Sequence, residues 1–337
     1  MKYNVAVVGA TGKVGAEIFQ VLDQVKFPVN KVYALASNKS IGKQVSFGDD
    51  NLITVSALEG FDFKGVDIAF FSAGSAVSKQ YVPIATKAGA VAIDNTSYFR
   101  MDSDVPLVVP EVNEKDISIF KERKIIANPN CIAIPLAVAL NPIHDALGLK
   151  KVVVSTYQSV SGVGKQAMDE LYEQTRGVYV YKKISPEVFP RQIAFNLIPQ
   201  IDVFREDGFT GEETKIMSEF GKIVDKNINI IATSVRSPVF LGHSMSVHIE
   251  CEEDSSKQEI HRLLSQAPGV VLTDQDDHNL YVTPVDVAGK DEVYVSRVRQ
   301  APYNSREFSL WIVADNIRKG AAVNAVQIAQ AVIKKFL

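Results

Sequence analysis

The sequence predicts two units of different class: an α/β unit built on a parallel sheet, then an α+β unit with a mixed or antiparallel sheet. Short β-type runs alternate with helical patterns over the first third of the chain, and from about residue 133 the β-runs lengthen and stand further apart. At 337 residues the chain exceeds one ordinary domain, and its 46% hydrophobic and 22% charged residues suit two packed cores. The expected division is 1–132 with 316–337 for the first unit and 133–315 for the second.

In the first unit, β-runs fall at residues 4–8, 31–36, 68–71, 91–94, 107–109 and 124–127, with helical spacing at 14–25 and 77–88. Crossovers of this length read as βαβ units. The second unit begins with an apolar, helix-like run after Cys131. Alternating strands follow at 151–158, 228–235, 244–251, 292–299 and 308–314. The closing segment, 320–336, is rich in Ala, Val and Ile at helical spacing and is expected to return to the first unit.

The opening strand runs straight into Gly9-Ala10-Thr11-Gly12-Lys13-Val14-Gly15. This strand–turn–helix setting is the one in which such glycines bind a dinucleotide: they permit a tight turn and close backbone approach, and the helix N-terminus receives the pyrophosphate. The second strand ends near Ala36, where an NAD enzyme usually places Asp or Glu, but here Ser37-Asn38-Lys39-Ser40 follows without a carboxylate. A cation and two hydroxyls suit the 2′-phosphate of NADP.

Cys131, one of two cysteines, lies in Asn128-Pro129-Asn130-Cys131 ahead of the apolar run. A thiol at a helix N-terminus meets unpaired N–H groups and the positive end of the dipole, which favour the nucleophilic thiolate. A thiolate beside a nicotinamide suggests acyl or aldehyde chemistry through a thioester. Of the five histidines, His144, His248, His261 and His278 read as structural or solvated. His243 lies in a Pro/Gly-marked segment, Arg236 to Ser244, that enters a strand, and it is the candidate acid–base group. Cys251 ends an alternating strand and reads as structural.

Taken in order, these residues resemble the bacterial aspartate-β-semialdehyde dehydrogenases over nearly the whole chain. The resemblance is carried by the Gly9–Gly15 turn, Phe71-Ser72-Ala73-Gly74, Asp94-Asn95-Thr96-Ser97 and Asn128-Pro129-Asn130-Cys131. It continues through Tyr157-Gln158-Ser159-Val160-Ser161-Gly162, Glu212-Glu213-Thr214-Lys215, Arg236 to His243, and Ala314-Asp315-Asn316-Ile317-Arg318-Lys319-Gly320. It implies a Rossmann-like NADP-binding domain and a catalytic and dimerisation domain like that of the glyceraldehyde-3-phosphate dehydrogenases. It also implies NADPH-dependent reductive dephosphorylation of L-aspartyl-4-phosphate to aspartate 4-semialdehyde, releasing inorganic phosphate. That reaction belongs to the route to lysine, threonine, methionine, isoleucine and diaminopimelate.

By the same resemblance Cys131 is the nucleophile, His243 the acid–base group and Gln158 the residue that orients the acyl group. Arg236 would hold the α-carboxylate by a bidentate fork and Glu212 the amino group, with Lys215, Arg100 and Asn130 about the phosphate. Gly9, Thr11, Gly12, Lys13 and Val14 would line the pyrophosphate, Lys39 and Ser40 the 2′-phosphate, and Ser161, Gly162 and Asn316 the nicotinamide end. Lys39 stands where family members often carry Arg, which keeps the charge and loses the fork. Val163 stands where they often carry Ala.

A net charge of -3, from 36 basic and 39 acidic residues, favours neither nucleic acid nor membrane as a partner. No metal is expected. Two cysteines and no signal-peptide pattern before the first strand suggest a cytoplasmic enzyme. Family members form homodimers, some pairing into tetramers. Two other readings use the same residues differently. An N-acetyl-γ-glutamyl-phosphate reductase has a different residue before its cysteine and no substrate ammonium for Glu212 to meet. A catalytically silent dinucleotide-binding relative would have lost Cys131, Gln158 or His243, and all three are present.

Overall fold

The computed structural model describes residues 1–48, 51–181, 185–274 and 280–337, so His278 lies outside the described residues. Two compact units divide the chain, Met1–Asn130 with Gly320–Leu337, and Cys131–Lys319. No helix among the described residues is long and apolar enough to cross a membrane.

In the first unit the strands are β1 (Tyr3–Val8), β2 (Val29–Ala36), β3 (Gln44–Phe47), β4 (Asn51–Thr54), β5 (Ser56–Ala57), β6 (Ile68–Phe71), β7 (Val91–Asp94) and β8 (Ile125–Ala127). The helices are α1 (Lys13–Gln24), α2 (Ser75–Lys87) and the single turn α3 (Pro110–Asn113). Strands β5-β2-β1-β6-β7-β8 form one sheet in that order, with every pairing parallel. Counting only these six strands, the order is 3-2-1-4-5-6, the doubly wound arrangement that opens a crevice where the strand order reverses. Both faces are covered, so β6, β7 and β8 are buried throughout and, Asp94 at the end of β7 apart, carry continuous apolar runs, not alternation.

The last helix, α9 (Val323–Lys335), belongs to this unit although it comes from the far end of the chain. Its Val326, Ile328 and Val332 join Ile18, Phe19 and Leu22 of α1 and Val5 and Val7 of β1 in one core. Each such side chain contributes roughly 1.5–3 kcal/mol on burial.

Residues 107–109, expected as a strand, make only a bridge from Leu107 to Ala127. Val109 is instead the N-cap of α3, and its N–H donates to Asn113 Oδ1. Pro110 has no N–H for a ladder and a φ suited to the first helical position, so the run turns into a helix. The antiparallel β3–β4 ribbon was not foreseen.

The second unit holds α4 (Ala133–Leu147), β9 (Leu149–Gln158), α5 (Lys165–Tyr179), α6 (Gly211–Ile223), β10 (Asn229–Arg236), β11 (His243–Cys251), α7 (Lys257–Ser265), β12 (Val270–Leu272), α8 (Pro284–Val287), β13 (Val293–Ala301) and β14 (Asn304–Ala314). The six strands form a mixed sheet ordered β10-β9-β11-β14-β13-β12. Strands β9 and β10 are parallel and end in register, Gln158 beside Arg236. Strand β11 runs antiparallel to both β9 and β14, so its first residue, His243, pairs with the last residue of β14, Ala314. Gln158, Arg236, His243 and the residues just past β14 therefore meet at one end of this sheet.

Candidate active site

Cys131 lies immediately before Ile132, the N-cap of α4. The helix tolerates Pro135 because it falls in the first turn, where backbone N–H groups lack intrahelical partners. Cys131 is half-buried, whereas Cys251 is fully buried and its thiol is pushed up to about 11 by burial. Only the first is placed for chemistry.

Arg236 is buried, 6% exposed. Burial lowers its pKa, while the negative charge of Glu212 and then that of Cys131 oppose the shift. Its Nη1 donates to the Ser159 carbonyl at 2.8 Å, and its guanidinium lies over the Phe189 ring, 6.0 Å from the centroid. A guanidinium anchored at one edge keeps its other N–H groups in a fixed plane, as a carboxylate clamp requires.

Gln158 is nearly fully buried and held at both ends of its amide. Thr156 Oγ1 donates to Oε1 at 3.2 Å, and Nε2 donates to Glu212 Oε1 at 3.1 Å. Glu212 sits in the first turn of α6, fixed by a capping box. The Glu213 N–H donates to Thr210 Oγ1, and the Thr210 N–H donates to Glu213 Oε2 at 2.7 Å. The other Glu213 oxygen accepts from Ser234 N on β10 at 2.8 Å, tying the helix start to the sheet. Lys215, one turn on, pairs with Asp202 at 2.6 Å and lies 4.0 Å from Glu212 Oε2.

His243 is buried, and burial, followed by the charge of Arg236, pushes its pKa well below 6.5; a backbone hydrogen bond with Gly242 opposes the shift. Its Nδ1 accepts the Ser159 N–H at 3.0 Å, with Ser159 Oγ 3.1 Å away. Behind the ring, Asn316 Oδ1 accepts from Ser159 Oγ at 3.1 Å and from Gly242 N at 3.0 Å, and Asn316 Nδ2 donates to Ser161 Oγ at 3.0 Å. Gly162 faces the cluster: a Cβ there would stand 3.3 Å from Arg236 Nη1 and 3.6 Å from His243 Nε2. Any side chain at this position would fill the space beside the imidazole. Val163, by contrast, is exposed.

The second unit thus brings together Cys131, Gln158, Glu212, Arg236, His243, Ser161, Gly162 and Asn316, with Lys215 at the edge. Ser159 carries no assignment in the sequence reading, yet it touches both His243 and Arg236. Its place in the Gln158–Gly162 motif was the only signal.

In the first unit a cavity of about 800 Å³ opens at the C-terminal ends of β1, β2 and β6. Gly9, Thr11 and Gly12 line it after β1, Ser37 to Lys39 after β2, and Ser72 and Ala73 after β6. The glycines are required by close approach. Gly9 has φ +92° and its Cβ would lie 2.4 Å from the Ser72 carbonyl oxygen, while a Cβ at Gly15 would lie 2.2 Å from the Gly9 oxygen. Lys13 and Val14 open α1, and Ser40 Oγ lies 3.4 Å from Thr11 Oγ1.

Sequence reasoning missed a carboxylate on this wall. Glu59, just past β5, lines the same cavity and accepts from Asn38 Nδ2 at 3.0 Å. Nothing local marks it, because it arrives from the neighbouring strand. Arg100 and Asn130 are buried. Arg100 donates from Nε to the Asn128 carbonyl at 2.9 Å and from Nη2 to the Asn95 carbonyl at 3.0 Å, which fastens the segment leading to Asn130.

A doubly wound unit with a glycine-rich dinucleotide crevice, joined to a unit that gathers a thiol, an imidazole and a guanidinium, defines a nicotinamide-dependent oxidoreductase. Residues 4–119 match the semialdehyde dehydrogenase NAD binding domain, and residues 140–319 match the semialdehyde dehydrogenase dimerisation domain. The chain is 51% identical to the aspartate-semialdehyde dehydrogenase of Rickettsia bellii, over 100% of this chain and 99% of that one. It is 49% identical to that of Aquifex aeolicus, over the full length of both. The crystal structure of aspartate semialdehyde dehydrogenase II from Vibrio cholerae superposes with a TM-score of 0.97, at 46% identity and full coverage of both chains. The chain belongs to the aspartate-semialdehyde dehydrogenase family.

Proposed function

We propose that this chain catalyses the NADPH-dependent reductive dephosphorylation of L-aspartyl-4-phosphate to aspartate 4-semialdehyde, in the cytoplasm, in amino-acid biosynthesis. The observation that carries this reading is the second unit's cluster, in which a half-buried thiol shares its field with a buried Arg236 and Glu212. Cys131 attacks the acyl carbon and phosphate departs, leaving a thioester. Gln158, its amide fixed by Thr156 and Glu212, orients the acyl group. Arg236 takes the α-carboxylate, Glu212 the ammonium, and Lys215, Arg100 and Asn130 serve the phosphate. His243 serves as the acid–base group.

NADPH, when bound, supplies the hydride. Gly9, Thr11, Gly12, Lys13 and Val14 are the residues that would hold its pyrophosphate, Lys39 and Ser40 its 2′-phosphate, and Ser161, Gly162 and Asn316 its nicotinamide end. The cavity fits this assignment, because the close-packed glycines leave its floor as bare backbone. The protein works as a homodimer, a reading supported by the match to the dimerisation domain.

The test is phosphate-dependent reduction of NADP by aspartate semialdehyde, run beside NAD. Activity that needs phosphate and prefers NADP is expected; turnover indifferent to phosphate would remove the acyl-phosphate reading. Cys131→Ala should lower turnover by at least ~10³, and near-normal turnover would end the covalent mechanism. Arg236→Lys should chiefly raise KM, since a point charge replaces a fork. Light scattering reads the dimer.

A further inference from the structure

Asn95 follows β7 directly, at the carboxyl end of the first sheet, where doubly wound folds bind their ligands. It is partly exposed, and its backbone is held on both sides. Its N–H donates to the Phe71 carbonyl at 2.9 Å, and its carbonyl accepts from Arg100 Nη2 at 3.0 Å. Asp94 fastens the turn beyond it, accepting from Thr96 N at 3.0 Å and from Thr96 Oγ1 at 2.9 Å.

Two backbone carbonyls decide which end of the Asn95 amide faces outward. Asn324, fully buried in α9, donates from Nδ2 to the Val108 carbonyl at 2.9 Å and to Asn128 Oδ1 at 2.7 Å. A carbonyl accepts and never donates, so Asn324 must turn its nitrogen this way and Asn128 its oxygen. Asn128, also fully buried, donates from Nδ2 to the Ala321 carbonyl at 3.2 Å and to Asn95 Oδ1 at 2.6 Å. The second carbonyl imposes the same polarity on its own. Asn95 is left with its oxygen turned toward Asn128 and its NH₂ turned away. That NH₂ has no acceptor among the described residues.

We propose that Asn95 binds the phosphate, its NH₂ donating to a phosphate oxygen beside Arg100, and that Asn128 and Asn324 are positioning residues that hold the amide in this polarity. The inference rests on the acyl-phosphate reading above, in which Arg100 serves the phosphate. Arg100 is anchored from Nε on the Asn128 carbonyl at 2.9 Å and from Nη2 on the Asn95 carbonyl. The same two asparagines therefore carry both the guanidinium and the outward amide. An anion that reaches one has the other at hand. A hydrogen bond from an amide to an ionised acceptor is stronger than one between neutral groups, and it adds direction without a further charge.

The test is the KM for inorganic phosphate in the reduction of NADP by aspartate semialdehyde, measured beside the KM values for the other two reactants. Asn95→Ala should raise the KM for phosphate by roughly 10–100-fold, as for loss of one hydrogen bond to a charged group. The KM values for semialdehyde and NADP should change little; a rise for NADP in place of phosphate would assign the amide to the cofactor and overturn the proposal. Asn95→Asp keeps the oxygen that accepts from Asn128 and replaces the outward NH₂ with an anionic oxygen. It should raise the KM for phosphate further than Asn95→Ala does. A purely structural residue gives the reverse order, because the carboxylate preserves the inward bond and alanine loses it, and that order would overturn the phosphate role. Asn324→Asp sets oxygen against the Val108 carbonyl and Asn128 Oδ1. It should raise the KM for phosphate in the native background and have no such effect beside Asn95→Ala, where no amide remains to turn; additive effects would overturn the positioning role. Should Asn324→Asp fail to fold, the two variants of the partly exposed Asn95 still decide the phosphate role. Arg100→Ala separates this inference from the reading beneath it. A raised KM for phosphate there, with native values in both Asn95 variants, would overturn the inference alone, whereas turnover indifferent to phosphate would remove both.

Discussion

Two cysteines with the same side chain differ in kind because of what surrounds them. Cys131 is half-buried ahead of α4 and in the field of Arg236, while Cys251 is sealed at the end of β11 with its thiol pushed up to about 11. Iodoacetamide at neutral pH should modify Cys131 alone, and peptide mass spectrometry would read it; equal labelling of Cys251 would contradict the burial argument. His243 gives a second residue-level expectation. The unfolded chain takes a proton on this histidine below about pH 6.5, and the folded protein resists it. Its contribution to stability is therefore full above that pH and is lost on acidification, at up to about 1.4 kcal/mol per pH unit for one proton. Between about pH 7.5 and about pH 5.5 the urea midpoint of the native chain should fall more steeply than that of His243→Gln. Parallel slopes would assign the acid sensitivity elsewhere. The remaining described histidines are occupied structurally: His144 accepts from Leu149 N, His248 contacts Ser309 and Glu307, and His261 lies 3.6 Å from Asp274.

Elements place these residues through their ends. The Thr210–Glu213 capping box fixes the first turn of α6, and Glu213 fastens that turn to β10, so Glu212 is aimed at Gln158 by its neighbours. Thr210→Ala should lower stability by about 1 kcal/mol and, because Glu212 rides on the same turn, also raise KM for the semialdehyde. A stability loss with unchanged KM would separate the cap from the site. The capping box lies within four contiguous residues, whereas its link to Ser234 was not legible, because the partner lies on another strand. The Gly9–Gly15 turn was legible for the opposite reason: strand, turn and helix are contiguous, and the glycines answer to clashes with Ser72 and Gly9 that any residue with a Cβ would make. The 107–109 run misled because an apolar triplet has no period, and Pro110 decided the outcome.

At the scale of the whole molecule, chain order and spatial order part company. Helix α9, last in sequence, completes the core of the first unit, where Ile328 is fully buried with residues of α1 and β1. Ile328→Ala should cost about 2–5 kcal/mol and weaken dinucleotide binding from the far end of the chain. Hydrogen exchange should show β1 and α1 losing protection with α9; undisturbed protection in β1 would mean that α9 is dispensable to that core. By itself, the sequence determined what local spacing encodes: the parallel βαβ series, the glycine turn, the thiol ahead of a helix and the ordered motifs that mark the family. Only the tertiary structure brought Glu59 to the wall of the dinucleotide cavity, turned Arg100 onto the Asn128 and Asn95 carbonyls, and set the Ser159 peptide group against His243. Those contacts depend on strand register and on buried donors finding acceptors across long stretches of chain, and hydrophobic period and residue spacing carry no record of either.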